Sequence, residues 1–98
     1  MDLVIEGESE PMNKKHRKIL EQVFKTPVPS DVRWADVEKL FVGFGAEVTE
    51  GSGSRVRIAL NGIKAVFHRP HPKREIDKGA LVSVRKFLIN AGINNDEI

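Results

Sequence analysis

The sequence contains no cysteine, so neither a disulfide framework nor a thiolate metal site is available to it. No apolar run approaches the ~20 residues that a membrane-spanning helix needs. The first residues also lack the basic stretch followed by an apolar one that marks a secretory signal. With 98 residues and no visible internal repeat, we expect one small cytoplasmic domain with a single modest core.

The formal net charge of +2 hides an uneven distribution of charged residues. Residues 1–11 carry −4 and the last three residues carry −2, which leaves +8 on residues 12–95. A basic body between acidic ends is typical of a protein with a polyanionic partner, although the same cations could simply solvate surface helices. We predict a flexible acidic leader over 1–11, a single domain over 12–93 and a frayed tail over 94–98.

The strongest local signal is Asn61-Gly62, which separates two runs of alternating residues. Asn-Gly is a preferred centre of a type I′ turn, because both positions need φ > 0. A two-residue loop fixes the register of a hairpin, and side chains alternate between its faces. One face is then wholly apolar, and the other carries Arg55, Arg57, Ala59, Lys64, Val66 and His68, with Arg55 directly opposite His68.

Apolar residues at helical spacing predict three helices. The first covers 12–25, and the second starts between Ser30 and Trp34, with Ser30 or Asp31 as candidate caps. Asp77 can cap the third helix. The spacing of Trp34 with other large apolar residues favours a place in the core over stacking on a base.

A short strand over 46–50 precedes the hairpin, so the element order is helix, helix, three strands and helix. The compact arrangement for this order is an α+β two-layer sandwich. In it, a three-stranded antiparallel sheet has its helices on the apolar face. The Gly/Ser connection 51–54 could be only a turn, or its backbone N–H groups could bind a phosphate.

Two histidines lie where the basic hairpin face meets a cation-rich loop, His68 at the end of a strand and His71 three residues later. They have no third ligand in sight, so we expect no metal site and no cofactor. Imidazole moves a proton near neutral pH, Lys and Arg neutralise phosphates, and RNA supplies its own nucleophile, the 2′-OH. The candidate catalytic residues are therefore His68 and His71, and the candidate RNA-binding residues are Arg55, Arg57, Lys64, Arg69, Lys73, Arg74 and Lys78. The alternative is that both histidines bind RNA without cutting it.

Several short features follow one another in a recognisable order: Phe44-Gly45, Gly53-Ser54, His71-Pro72, Glu75, Lys78-Gly79-Ala80-Leu81 and Asn90-Ala91-Gly92-Ile93. Through them, residues from about 34 to 93 resemble the HicA toxin family. The resemblance implies a fold like a double-stranded-RNA-binding domain, with cleavage of mRNA or inhibition of translation. It also implies control by a HicB-like antitoxin in a type II toxin–antitoxin pair. Helix 12–25 looks like an N-terminal extension.

One departure from the family concerns the catalytic base. The family usually has a catalytic histidine directly after the Gly-Ser, whereas here Gly53-Ser54 is followed by Arg55, which cannot be deprotonated at working pH. His68, across the hairpin, has then taken over, or His71 carries the proton, or the chain binds RNA without cleaving it. We rank His68 first because the cross-strand geometry keeps it within reach of the same site. A third reading is an interaction protein whose helix 12–25 docks a partner.

Overall fold

The computed structural model describes residues 14–93, and these form three helices and three strands. In chain order they are α1 (Lys14–Val23), α2 (Trp34–Gly43), β1 (Glu47–Glu50), β2 (Arg55–Leu60), β3 (Ile63–His68) and α3 (Lys78–Asn90). The predicted α+β fold is thereby confirmed. The predicted leader, the first two residues of the predicted helix 12–25 and the predicted tail lie outside the described residues.

The three strands form one antiparallel sheet in the order β1-β2-β3. The predicted hairpin register is confirmed, with Arg55 paired to His68 across β2 and β3. Asn61 and Gly62 at the turn have φ of 52° and 83°, which is the left-handed conformation that a type I′ turn requires. The Asn61 side chain also donates from Nδ2 to the Ala91 carbonyl at 2.8 Å, so the tip of the hairpin is fastened to the end of α3.

The helices cover the apolar face of the sheet, and the core lies between the two layers. Four rings fill its centre, with centroid separations from 5.5 to 6.3 Å: Trp34, Phe41, Phe67 and Phe87. Trp34 is 5% exposed, which confirms its predicted place in the core. Large rings that meet edge to face or tilted bury much apolar area and hold one arrangement, so the two layers pack in a fixed orientation.

Helix α2 begins at Trp34, within the predicted range, but the predicted cap is wrong, since neither Ser30 nor Asp31 caps it. Arg33 occupies the N-cap position with extended backbone and makes no side-chain cap. The reason is tertiary. Arg33 pairs with Glu75 in an isolated β-bridge, and the Trp34 N–H donates to the Arg74 carbonyl at 3.0 Å. The loop after β3 thus supplies the acceptor that a capping side chain would otherwise provide.

Helix α1 packs onto the other two helices and belongs to the same core, in which its Ile19, Leu20 and Val23 are buried. Arg85 of α3 donates to the carbonyls of Val23 and Lys25 at 2.8 and 2.9 Å. These bonds satisfy acceptors at the end of α1 that the helix leaves unpaired. No helix within residues 14–93 has both the length and the apolar character needed to cross a bilayer.

The turn geometry makes a prediction about stability. Gly62→Val should lower the free energy of unfolding by about 1–3 kcal/mol, because a β-branched residue resists φ > 0. No heavy atom lies within 4 Å of the position that a Cβ would take, so the cost arises in the backbone and not from a clash. Gly62→Asn is the matched control and should cost much less, since Asn tolerates this conformation. Denaturant unfolding measures both, and a valine variant as stable as the parent would contradict the turn assignment.

Candidate functional site

The outer face of the sheet, opposite the helices, is organised in three rows that run across the strands. The strand register and one further backbone bond, from the Gly51 N–H to the Arg55 carbonyl at 2.9 Å, define these rows. The turn-side row is Glu47, Ala59 and Lys64, the middle row is Thr49, Arg57 and Val66, and the histidine row is Gly51, Arg55 and His68. Successive rows lie ~7 Å apart along the strands, two residues at the usual rise.

The histidine row forms one side of a surface cleft of about 370 Å³. Its lining consists of Gly51, Ser52, Arg55, Arg57, Val66 and His68. Arg55 and His68 are both exposed and directly opposite each other, so their Cβ atoms are separated by ~5 Å. The structure therefore brings together three of the residues predicted from the sequence, two guanidinium groups and an imidazole, in one water-accessible cleft.

The Gly/Ser turn 51–54 forms the other wall of this cleft. The Arg55 N–H donates back to the Ser52 carbonyl at 3.2 Å, and Gly53 has φ of 63°. A Cβ on Gly51 would lie 3.1 Å from the Arg55 Cβ, so glycine is what lets the turn approach this side chain closely. The backbone N–H groups of Gly51 and Arg55 already have acceptors within the chain and are not offered to a phosphate.

Arg69 lies on the other side of the sheet from His68, as the alternation of side chains requires for the next residue. Its guanidinium donates from Nη1 and Nη2 to Glu50 at 2.7 and 2.8 Å. It also donates from Nε and Nη2 to Glu38 at 3.3 and 3.1 Å. We call Arg69, Glu38 and Glu50 the Arg69 clamp. Two carboxylates occupy this cation. It lies apart from the predicted RNA-binding cations of the outer face, but it lines a cleft with Lys73 and Arg74.

The clamp holds both sides of the histidine cleft. Glu50 immediately precedes the turn 51–54, Arg69 immediately follows His68, and Glu38 projects from α2. Trp34 steadies Glu38 from the core by donating from Nε1 to its Oε1 at 2.7 Å. The hydrogen bond from Arg69 holds the pKa of Glu50 below its ordinary value, and the bonds to Glu50 and Glu38 raise the pKa of Arg69, so both partners keep their charges.

The other predicted site residues lie off the sheet face. His71, Lys73 and Arg74 are exposed in the loop between β3 and α3, and Lys78 is the exposed first residue of α3. Lys73 and Arg74 line a cleft of about 310 Å³ that we call the loop cleft, whereas His71 lines neither this cleft nor the one at His68. The outer face of the sheet thus holds Arg55, Arg57, Lys64 and His68, and the loop and α3 hold the rest.

The sequence did not single out two charged residues near these groups, Arg33 at the loop cleft and Glu47 on the outer face. Arg33 lines the loop cleft because of its bridge to Glu75, a tertiary pairing with no local signal. Glu47 stands on the outer face because β1 pairs with β2 in the observed register. The alternation of strand 46–50 places Glu47 and Glu50 on opposite faces. It does not place Glu47 in a given row, since a Gly/Ser turn permits several registers.

Taken together, these features define a small α+β domain with helices on one side of a three-stranded sheet and a basic, histidine-bearing face on the other. The family model described as HicA toxin of bacterial toxin–antitoxin matches residues 34–93, well over half of the chain. The chain belongs to the HicA toxin family, which confirms the resemblance, and an antitoxin is the partner that membership implies. Helix α1 lies outside the matched residues. No curated protein and no solved structure matches the chain.

The clamp predicts how stability depends on pH. The pKa of Glu50 is depressed in the folded chain, so its ionised form stabilises the fold above its ordinary pKa of 4.5, and this stabilisation is lost as the pH falls through the lower folded value. Glu50→Gln cannot titrate. The difference in free energy of unfolding between the parent and this variant should therefore become smaller as the pH falls from about 7 to about 3.

Denaturant unfolding at both pH values measures this gap. The control repeats the comparison in an Arg69→Gln background, where Glu50 has lost its donor and the substitution should no longer alter the pH dependence. A gap that stays constant in the parent background would mean that the ion pair does not stabilise the fold.

Proposed function

We propose that this HicA-family chain is a metal-independent endoribonuclease toxin that cleaves mRNA in the cytoplasm, inhibits translation and is held in check by a HicB-like antitoxin. One observation carries the proposal: His68 is exposed on a basic sheet face, directly opposite Arg55. Arg55 directly follows Gly53-Ser54, which is where the family usually has its catalytic histidine. The imidazole therefore stands one strand away from the family's position, in the same cleft.

The chemistry that suits this cleft is transesterification within RNA. His68 takes the proton of a 2′-OH, the freed oxygen attacks the adjacent phosphorus, and the bond to the 5′ oxygen breaks. The departing 5′ oxygen takes a proton from water, and a 2′,3′-cyclic phosphate remains on the other fragment. Arg55 and Arg57 line the same cleft and offset the charge that builds on the phosphorane oxygens. The nucleophile belongs to the substrate, so the proposed reaction needs a base and cations, and no metal-activated water.

The second candidate function is RNA binding without cleavage, which is favoured by the arginine at the family's usual base position. The same cations would hold the backbone of the RNA, and His68 would contribute a hydrogen bond instead of a proton transfer. The third reading, a partner docked on the apolar stripe of helix 12–25, receives no support. Ile19, Leu20 and Val23 on that stripe are buried in the chain's own core.

Salt dependence tests the basic face independently of cleavage. Three cations on the outer face, Arg55, Arg57 and Lys64, would release counterions from about three phosphates. A plot of log affinity against log salt should then have a slope of about −2, a loss of roughly tenfold or more between 50 and 200 mM salt. Lys64→Ala should make the slope shallower, whereas Lys18→Ala, an exposed lysine on α1, should leave it unchanged. Affinity that does not respond to salt would contradict this assignment of the face.

Removal of the imidazole tests the catalytic assignment. His68→Ala should slow single-turnover RNA cleavage by ~10²-fold or more and abolish growth arrest. It should change the free energy of unfolding by no more than about 0.5 kcal/mol, because the side chain is exposed. RNA binding should persist. His71→Ala should cost less activity, since His71 does not line the cleft.

The outcomes separate the alternatives. If His71→Ala is the inactive variant and His68→Ala cleaves normally, the proton carrier is His71. If both single variants and the double variant cleave like the parent, these histidines are not the catalytic groups. Arg55→His restores the family's usual residue. If the parent cuts RNA poorly or not at all and the Arg55→His variant gains cleavage, the result would favour RNA binding as the function of the parent chain.

A further inference from the structure

A second cleft lies on the outer face of the sheet, next to the histidine cleft. It measures about 390 Å³ and is lined by Glu47, Thr49, Arg57, Ile58, Ala59, Lys64, Ala65 and Val66. It therefore spans the turn-side row and the middle row. Arg57 and Val66 line both clefts, so the two are continuous along β2 and β3. A strand of RNA with one phosphate in the histidine cleft would pass its neighbouring nucleotide over this second cleft.

The lining of this cleft combines apolar surface with cations at its edges. Val66 is 53% exposed, and half-buried Ala59 lies beside it in the next row. Arg57 and Lys64 are exposed on either side of them. The four rings of the aromatic cluster all lie on the opposite face, in the core. A base on this face would therefore rest on aliphatic side chains and on the plane of the Arg57 guanidinium, which stacks on bases.

Glu47 is the one acidic side chain in the three rows of the outer face, and within residues 14–93 it forms no ion pair. Lys64 is in its row but two strands away, ~10 Å. A carboxylate there repels phosphates, so it weakens a surface that merely holds an RNA backbone. A carboxylate is also an acceptor without a proton to donate. It suits a base whose edge presents an amino group, and it repels the two carbonyls of uracil.

We propose that this second cleft is a nucleobase subsite that takes the base next to the phosphate in the histidine cleft and uses Glu47 to select bases with an exocyclic amino group. The proposal rests on the proposed function, since it assigns the base specificity of the same RNA-binding face. Arg57 and Lys64 hold the strand, the aliphatic floor accepts the base, and the Glu47 carboxylate accepts a hydrogen bond from the amino group, as carboxylates do with cytosine N4.

Cytidine and uridine are a matched pair for the test, because they differ in carrying an amino group or a carbonyl at C4. Binding of 2′-O-methyl octamers of each is measured with the full chain. The methyl group blocks the 2′ nucleophile, so binding is read without cleavage. The parent should bind the cytidine octamer about tenfold more tightly than the uridine octamer, the scale of one hydrogen bond to a charged group. Glu47→Ala should bring the two affinities together.

Controls separate selection from charge. Glu47→Gln removes the same repulsion but keeps an acceptor and adds a donor, so it should gain affinity for the uridine octamer in particular. Glu21→Gln changes the net charge equally on the exposed surface of α1 and should leave the ratio of affinities untouched. Lys64→Ala should weaken both octamers alike.

Two results would overturn the subsite: equal affinities in the parent, or a cytidine preference that survives Glu47→Ala. Either one leaves RNA binding by the sheet face standing. If neither octamer binds the parent, and unmodified RNA does not bind either, the proposed function itself fails and the subsite fails with it.

Discussion

Register across the β2–β3 turn is the constraint on which both the core and the site depend. Asn61 and Gly62 take up positive φ, and the two-residue loop then fixes every cross-strand pair behind it. A slip of β3 by one residue would carry Phe67 into water and His68 towards the core, because side chains alternate. The turn is also tied to α3 through the Ala91 carbonyl. The same few atoms therefore decide which face is apolar and which arginine stands opposite His68.

The helical layer does more than bury the apolar face, because one of its buried rings reaches the site through hydrogen bonds. Trp34 donates to Glu38, Glu38 accepts from Arg69, and Arg69 binds Glu50. Each link is short, and the ion pair between Arg69 and Glu38 is partly buried, where ion pairs are screened less than on open surface. These hydrogen bonds thereby anchor the backbone at His68 and at the turn 51–54 to α2. Helix α1 completes this layer although it lies outside the residues that the family model matches. Arg85 of α3 holds it by a hydrogen bond to the Val23 carbonyl.

Local signals in the sequence predicted the parts of the structure that local physics decides. Asn61-Gly62 set the hairpin, and Asp77 caps α3 as expected, accepting from the Ala80 N–H at 2.7 Å. Tertiary pairing decided the rest. The predicted cap of α2, Ser30 or Asp31, was wrong because the loop after β3 supplies a backbone acceptor. The ion pairs of Arg69 with Glu38 and Glu50 had no local signal either, because they depend on alternation past the end of β3 and on the position of α2. The placement of Glu47 needed the β1–β2 register, which a four-residue Gly/Ser turn leaves open.

The composition of the histidine cleft follows from the same register. Arg55 and His68 are cross-strand neighbours, so their side chains are separated by only the ~5 Å typical of opposed positions. The cleft therefore holds an imidazole and a guanidinium group on adjacent strands. His68 ends β3, an edge strand, whose backbone pairs with one neighbouring strand only. The Arg69 clamp begins at the next residue and ties that backbone to α2 and β1. The general base proposed at His68 would need such a restraint, because proton transfer tolerates little error in position.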